Sequence, residues 1–151
     1  MTDNFRAAAP NFRWQDVSLL EYKQEGAAPF KDITRQTLFH DQNLACELRY
    51  FEMAPGGYST LERHQHVHAV TILRGFGRCL LGDQIHQVAP LDLITIPPWT
   101  WHQFKADQSQ AMGFLCMVNR DRDRPMLPTP DDLNQLRQHP AIAGFLDGDG
   151  L

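Results

Sequence analysis

Apolar and polar residues alternate over short stretches along most of this chain, and clusters of Gly, Pro, Asn and Asp separate the stretches. A period of two places successive side chains on opposite faces of a strand. Read this way, the sequence predicts strands at Val17–Lys23, Ile33–Phe39, Ala45–Met53, His68–Arg74, Arg78–Gly82, Gln84–Val88, Asp92–Ile96, His102–Lys105 and Met112–Val118. The breaks fall at Glu25-Gly26, Asp41-Gln42-Asn43, Pro55-Gly56-Gly57, Gly75-Phe76-Gly77, Gly82-Asp83, Ala89-Pro90 and Pro97-Pro98. Short strands at this spacing build sandwiches, jelly rolls and barrels. No long 3.6-residue pattern interrupts them, which argues against βαβ units, and no solenoid-length repeat is present.

One helix is predicted near the end. Thr129 caps it, Pro130 takes its first position, Asp131 and Asp132 complement its dipole, and His139-Pro140 ends it. The chain then divides into a loose arm over residues 1–13, a barrel over 14–128, and a helix with a frayed tail over 129–151.

Composition narrows the partners. The 151 residues suit one domain, and 42% hydrophobic with 21% charged residues is globular usage. Fourteen basic against 18 acidic side chains give a net charge of −4, without the basic excess expected of a nucleic-acid binder. No run approaches eighteen apolar residues, and the N-terminus has no signal-peptide pattern, so no membrane association is expected. The odd, widely spaced set Cys46, Cys79 and Cys116 suits free thiols in a reducing, cytoplasmic setting.

Seven histidines are present, and three fall in Leu61-Glu62-Arg63-His64-Gln65-His66-Val67-His68. On a strand, residues i and i+2 stand about 6.6 Å apart on one face and can converge on one ion. Residues i and i+4 stand about 13 Å apart, too far when each metal–nitrogen bond is about 2.0–2.1 Å. Two arrangements remain: Glu62 and His64 joined by His68 after a turn at 65–67, or His64 with His66. Downstream, an apolar strand runs into Pro97-Pro98-Trp99-Thr100-Trp101 and the lone His102. Together the two segments offer four nitrogen and oxygen ligands to one divalent transition metal per chain, and such a set suits Mn, Fe, Ni or Zn. The competing reading is a solvated, pH-sensitive histidine patch. His40, His86 and His139 read as structural or solvated. Cys79 and Cys116 read as small core residues. Arg74, Arg78 and the run Arg120–Arg124 read as cations for an anionic substrate, with a charge-balanced loop the simpler reading of the run.

From Leu48 to Val118 these residues resemble a single-domain cupin. Pro55-Gly56-Gly57 opens the first cupin motif, Gly75 closes it, and Pro97 and His102 match the second. The resemblance implies an all-β fold, a cupin jelly-roll or double-stranded β-helix barrel with a short C-terminal helix. It implies Glu62, His64, His68 and His102 as metal ligands. His66, or Glu62 where it is not a ligand, reads as the proton shuttle beside the metal. In the alternative, Glu62 orients a histidine and His66 completes the set. Trp99 stands where the family usually has Gly, Leu91 replaces the Gly before Asp92, and Ala106 replaces an Asn. These departures change the bulk around the pocket and keep the ligand.

A narrower resemblance runs through Thr34-Arg35-Gln36, Leu48–Phe51, Leu61–Gly75, Gly77–Gly82 and Ile96–His102. These segments are similar to the cupins of bacterial methylthio-sugar salvage. Those act on 1-methylthioxylulose 5-phosphate, pass the methylthio group to a thiol such as glutathione, and leave deoxyxylulose 5-phosphate. The implied substrate is a small phosphorylated sugar, with Arg74 or Arg78 as phosphate cations. Trp99, Trp101, Phe104 and Phe114 flank the second motif and read as an aromatic wall for a small ligand, with core or dimer packing as the competing reading. Two other function classes are a ferrous cupin dioxygenase and a non-catalytic metal- or sugar-binding sensor. Small cupins commonly form homodimers, and Trp14–Lys23 is the segment expected either to pair across a two-fold axis or to cover its own barrel.

Overall fold

A computed structural model describes residues 4–23 and 28–148. The turn expected at Glu25-Gly26 and the tail after Gly148 lie outside the described residues. The strands are β1 (Ala8–Ala9), β2 (Arg13–Trp14), β3 (Leu20–Glu21), β4 (Lys31–Phe39), β5 (Cys46–Tyr58) and β6 (His68–Arg74), followed by β7 (Gly77–Leu81), β8 (Gln84–Val88), β9 (Leu93–Ile96), β10 (His102–Ala106) and β11 (Met112–Asn119). The main sheet runs β8-β7-β10-β5-β11-β6-β9, with β4 also paired to β5 and β3 to β4. It curls on itself as a jelly roll, and the pairings among the described strands are antiparallel.

Strand β5 continues through the turn expected at Pro55-Gly56-Gly57. The glycines bend it rather than end it. Gly56 takes a φ of +74°, and a Cβ on Gly57 would meet the carbonyl oxygens of Lys31, Ala54 and Asp32 at 2.9–3.0 Å. Past the bend, Tyr58 pairs with Lys31 of β4 and Lys105 of β10. One strand thereby ties both sides of the barrel together.

Register assigns the faces. Cys116 lies opposite Arg49 and Val70, Phe114 opposite Phe51 and Ile72, and Val118 opposite Glu47 and His68. Opposed residues share a face, so these side chains line the barrel interior. Met53, Ile72, Met112 and Phe114 belong to its apolar core. On the outer face of β7, Leu80 packs with Leu136, Ile142 and Phe145 from two helices.

Those helices are α1 (Pro130–Leu136) and α2 (Pro140–Asp147). Thr129 and Asp132 form the capping box of α1. The expected single helix does end before His139-Pro140, yet the same dipeptide starts α2, because a missing N–H is harmless at a first helical position. Ile142 and Phe145 then bury completely. At the N-terminus, part of the expected loose arm is folded: β1 and β2 form a hairpin, with Phe12 stacked on Tyr50 and Trp14 edge-on to the same ring. The strand expected at Val17–Lys23 shortens to β3, which pairs with β4 of its own chain. Among the described residues, no helix is long and apolar enough to cross a membrane.

Candidate metal centre

Three elements bring three imidazoles together. The stretch 59–67 leaves β5 and forms a bridge in which Glu62 and His102 exchange backbone hydrogen bonds of 3.2 and 3.1 Å. A bend at residues 65 and 66 then returns the chain to β6, which begins at His68. His64, His68 and His102 consequently offer ligand atoms that all lie within 4.8 Å of one another.

Each ring is held through Nδ1. His64 Nδ1–H donates to the His66 carbonyl at 2.8 Å, and His102 Nδ1–H donates to the Thr100 carbonyl at 2.9 Å. A carbonyl only accepts, so the Nε2 atoms of both rings carry lone pairs, the arrangement typical of metal-ligating histidine. His68 Nδ1 meets the Cys116 thiol at 3.1 Å. Its Nε2 stands 3.0 Å from that of His64. Two ligands about 2.1 Å from one ion and at right angles to it stand about 3.0 Å apart. That spacing fits either an N–H···N hydrogen bond between two neutral imidazoles or two ligands on one metal ion.

The protonation states agree. Burial, followed by neighbouring imidazoles, pushes His64 down to about 4 and His68 down to about 2. Burial holds His102 at about 4, although its bond to Thr100 favours the charged form. All three are neutral at neutral pH, as metal binding requires. The donor set fits a divalent transition metal.

Glu62 and His66 stand beside this trio. The Glu62 side chain is 8% exposed and accepts a hydrogen bond from Lys23 Nζ at 2.6 Å. Tyr22 keeps its proton because burial and the Glu62 charge raise its pKa. The His66 ring stacks on His64 with 3.6 Å between centroids, and its Nδ1 meets Asp123 at 2.7 Å. The backbone N–H groups of Gln65 and His66 also donate to Asp123. These bonds, Gln65 first, hold its carboxyl well below the usual carboxylate range.

A cavity of about 880 Å³ opens in front of the centre, lined by Glu62, His66, His68 and His102 among others. Its aromatic wall comes from Tyr22, Phe51, Phe104 and Phe114, and its arginines are Arg35, Arg49, Arg122 and Arg124. The structure places Trp99, Trp101, Arg74 and Arg78 elsewhere. Trp99 is 49% exposed, and its backbone N–H donates to the His64 carbonyl. Trp101 packs with the helix cluster under Arg63. A bulge in β6 before Arg74 turns that side chain outward to Glu52 and the Phe12 ring. Arg78 lies over the Phe145 ring, on the outer face. Strand parity across β5 would have singled out Arg49, which alternates with Phe51 and Met53. Nothing local in the sequence marks Lys23 or Asp123 as neighbours of the centre.

Comparison with known proteins adds to this geometry. Residues 49–118 match the family described as the cupin domain. The chain is 57% identical, over 95% of its length and 92% of the other, to a Rhodospirillum rubrum protein named 1-methylthio-D-xylulose 5-phosphate methylsulfurylase. A cupin 2 conserved barrel domain protein from Rhodopseudomonas palustris superposes with a TM-score of 0.88 at 58% identity, covering 93% of this chain and 97% of that one. A cupin-2 domain from Rhodospirillum rubrum gives 0.86 at 56% identity, covering 95% and 97%.

Proposed function

The chain belongs to the cupin family, and from that premise we propose that it is a metal-dependent enzyme acting as a 1-methylthio-D-xylulose 5-phosphate methylsulfurylase. What carries the reading is the extent of the similarity to the relative of that name, which runs through nearly the whole chain. The three-histidine cluster and the cavity before it supply chemistry to match.

His64, His68 and His102 would hold the metal. Glu62 is assigned the fourth position, supported by its bridge to His102 and by a buried carboxylate of which Lys23 engages one oxygen. A divalent ion there would act as a Lewis acid toward the substrate ketone. His66 is assigned the proton transfer. Asp123 fixes its Nδ1 proton, which leaves Nε2 to take the proton of an incoming thiol. The thiolate attacks the methylthio sulfur, an S–S bond forms, and the C1–S bond breaks. The electron pair stays with C1 and its neighbouring carbonyl, and the imidazolium of His66 returns the proton to C1. The products are a mixed methyl disulfide and the 1-deoxy sugar phosphate. The thiol is oxidised by the two electrons that C1 gains.

The test is turnover of the methylthio sugar phosphate with glutathione in D2O, before and after metal removal by chelation. The expected products are the mixed disulfide of glutathione and a sugar carrying one deuterium at C1, with activity lost on chelation. No turnover, or turnover indifferent to chelation, overturns the reading, and oxygen consumption would move it to a ferrous dioxygenase. We also assign a homodimer, supported by the exposed apolar Leu93 and Met117 on the outer sheet face, with light scattering as the check.

A further inference from the structure

The barrel interior carries more positive charge than its own carboxylates balance. Across the sheet from the metal centre, the inward residues run His68 on β6, Cys116 on β11 and Arg49 on β5, with Arg35 on β4 one step along, opposite Phe51. Arg49 is a charged side chain only 10% exposed, its guanidinium over the Phe51 ring. Glu47 serves both Arg122, at 2.7 Å, and Arg49, at 3.8 Å. Among the described residues Arg35 has no ion-pair partner, and burial together with the fields of Arg49 and Arg122 disfavours its charge. The Nε atoms of both Arg35 and Arg49 are buried without a hydrogen-bond acceptor. Three guanidiniums therefore share one carboxylate inside a cavity, and two positive charges remain. Buried charges are kept where something pairs with them.

We propose that Arg35, Arg49 and Arg122 form an anion subsite that takes the phosphate of the sugar substrate while its ketone end faces the histidines. A phosphate monoester carries nearly two negative charges at neutral pH, which matches the surplus. Arginine presents planar, paired donors to its oxygens, a geometry lysine lacks. The fold brings the two sets in from different elements: the imidazoles from β6, β10 and the 59–67 stretch, the arginines from β4, β5 and the segment after β11, with Phe51 and Phe114 lining the same cavity. The identity of the sugar rests on the methylsulfurylase reading, whereas the subsite itself does not.

The experiment is calorimetric titration of the wild-type protein with inorganic phosphate, D-xylulose 5-phosphate, D-xylulose and glutathione, repeated on Arg35→Gln, Arg35→Lys and Arg122→Gln. Arg122 lies on the segment after β11, so its replacement leaves the sheet intact and keeps the test decisive if Arg35→Gln does not fold. Wild type is expected to bind phosphate, and to bind the phosphorylated sugar at least tenfold more tightly than xylulose. Arg35→Gln and Arg122→Gln are each expected to weaken xylulose 5-phosphate roughly 10- to 100-fold, the loss of one charge-assisted hydrogen bond, and to leave xylulose unchanged. Arg35→Lys should regain part of the loss. Equal losses for both sugars, no phosphate binding by wild type, or a loss confined to glutathione would each overturn the subsite. Phosphate binding without turnover of the methylthio sugar would count against the methylsulfurylase reading and leave the subsite standing.

Discussion

Strand β5 passes from a wet half of the barrel into a dry one. Its inward positions read Glu47, Arg49, Phe51 and Met53, and at matching levels β6 presents His68, Val70 and Ile72. At one end stand ion pairs and imidazoles. At the other, Met53, Ile72 and Met112 are fully buried against one another. Both halves arise from the same alternation of residues. Inward direction alone therefore does not separate packing from chemistry; position along the strand does.

The largest effect should come from the dry half. Ile72→Ala removes a fully buried side chain from the core and should cost about 2–5 kcal/mol. Thermal melting should fall by roughly 2–4 °C for each kcal/mol, while metal content per folded chain stays at the wild-type level. A parallel loss of metal would show that the two halves are coupled more tightly than their separation along β5 implies.

The converse change sharpens the contrast. His102→Ala takes one nitrogen from the trio and should lower metal affinity by about 100-fold or more, beyond the 10–100-fold typical of outer-shell changes. Elemental analysis of tag-free protein reads it, with about one divalent ion per chain expected in wild type. The melting of metal-free wild type and metal-free variant should differ little. If the variant retains its metal, the assigned ligand set is wrong.

The smallest effect lies outside both halves, in α1. The Thr129 backbone N–H, then its hydroxyl, hold the Asp132 carboxyl below its ordinary range. A carboxyl depressed in the folded state contributes stability above its unfolded pKa, near 3.9, and loses it as pH falls through the folded value. Asp132→Asn should therefore flatten the acid limb of a melting-against-pH profile slightly. An unchanged acid limb would show that the capping box adds no pH dependence, and a change in metal content would show that α1 reaches the centre.

Much of this was legible in the sequence. Alternation located the strands from β4 onward to within a few residues, except that β5 runs on to Tyr58 through the break expected at Pro55-Gly56-Gly57. The separation of about 13 Å between residues four apart on a strand required a turn before His68 joined His64, and the bend at 65 and 66 supplies it. The cations were harder to read because their direction depends on register. Arg74 has the same parity as His68, Val70 and Ile72, and one bulge reverses it. Arg49 shares the parity of Phe51 and Met53, so its inward direction was readable and its charge there was the signal to follow. Lys23 and Asp123 approach the centre from 39 residues before Glu62 and 57 after His66, by contacts that no local pattern encodes.

The order of these residues along the chain also bears on assembly. Arg122, Asp123, Arg124, Pro125 and Leu127 are the last residues to line the cavity. Synthesis proceeds from the N-terminus, so the three ligand nitrogens and the β4 and β5 arginines leave the ribosome before that segment does. The three imidazoles are all present before the lining is complete, and a sugar phosphate would find its whole cavity only on the finished chain.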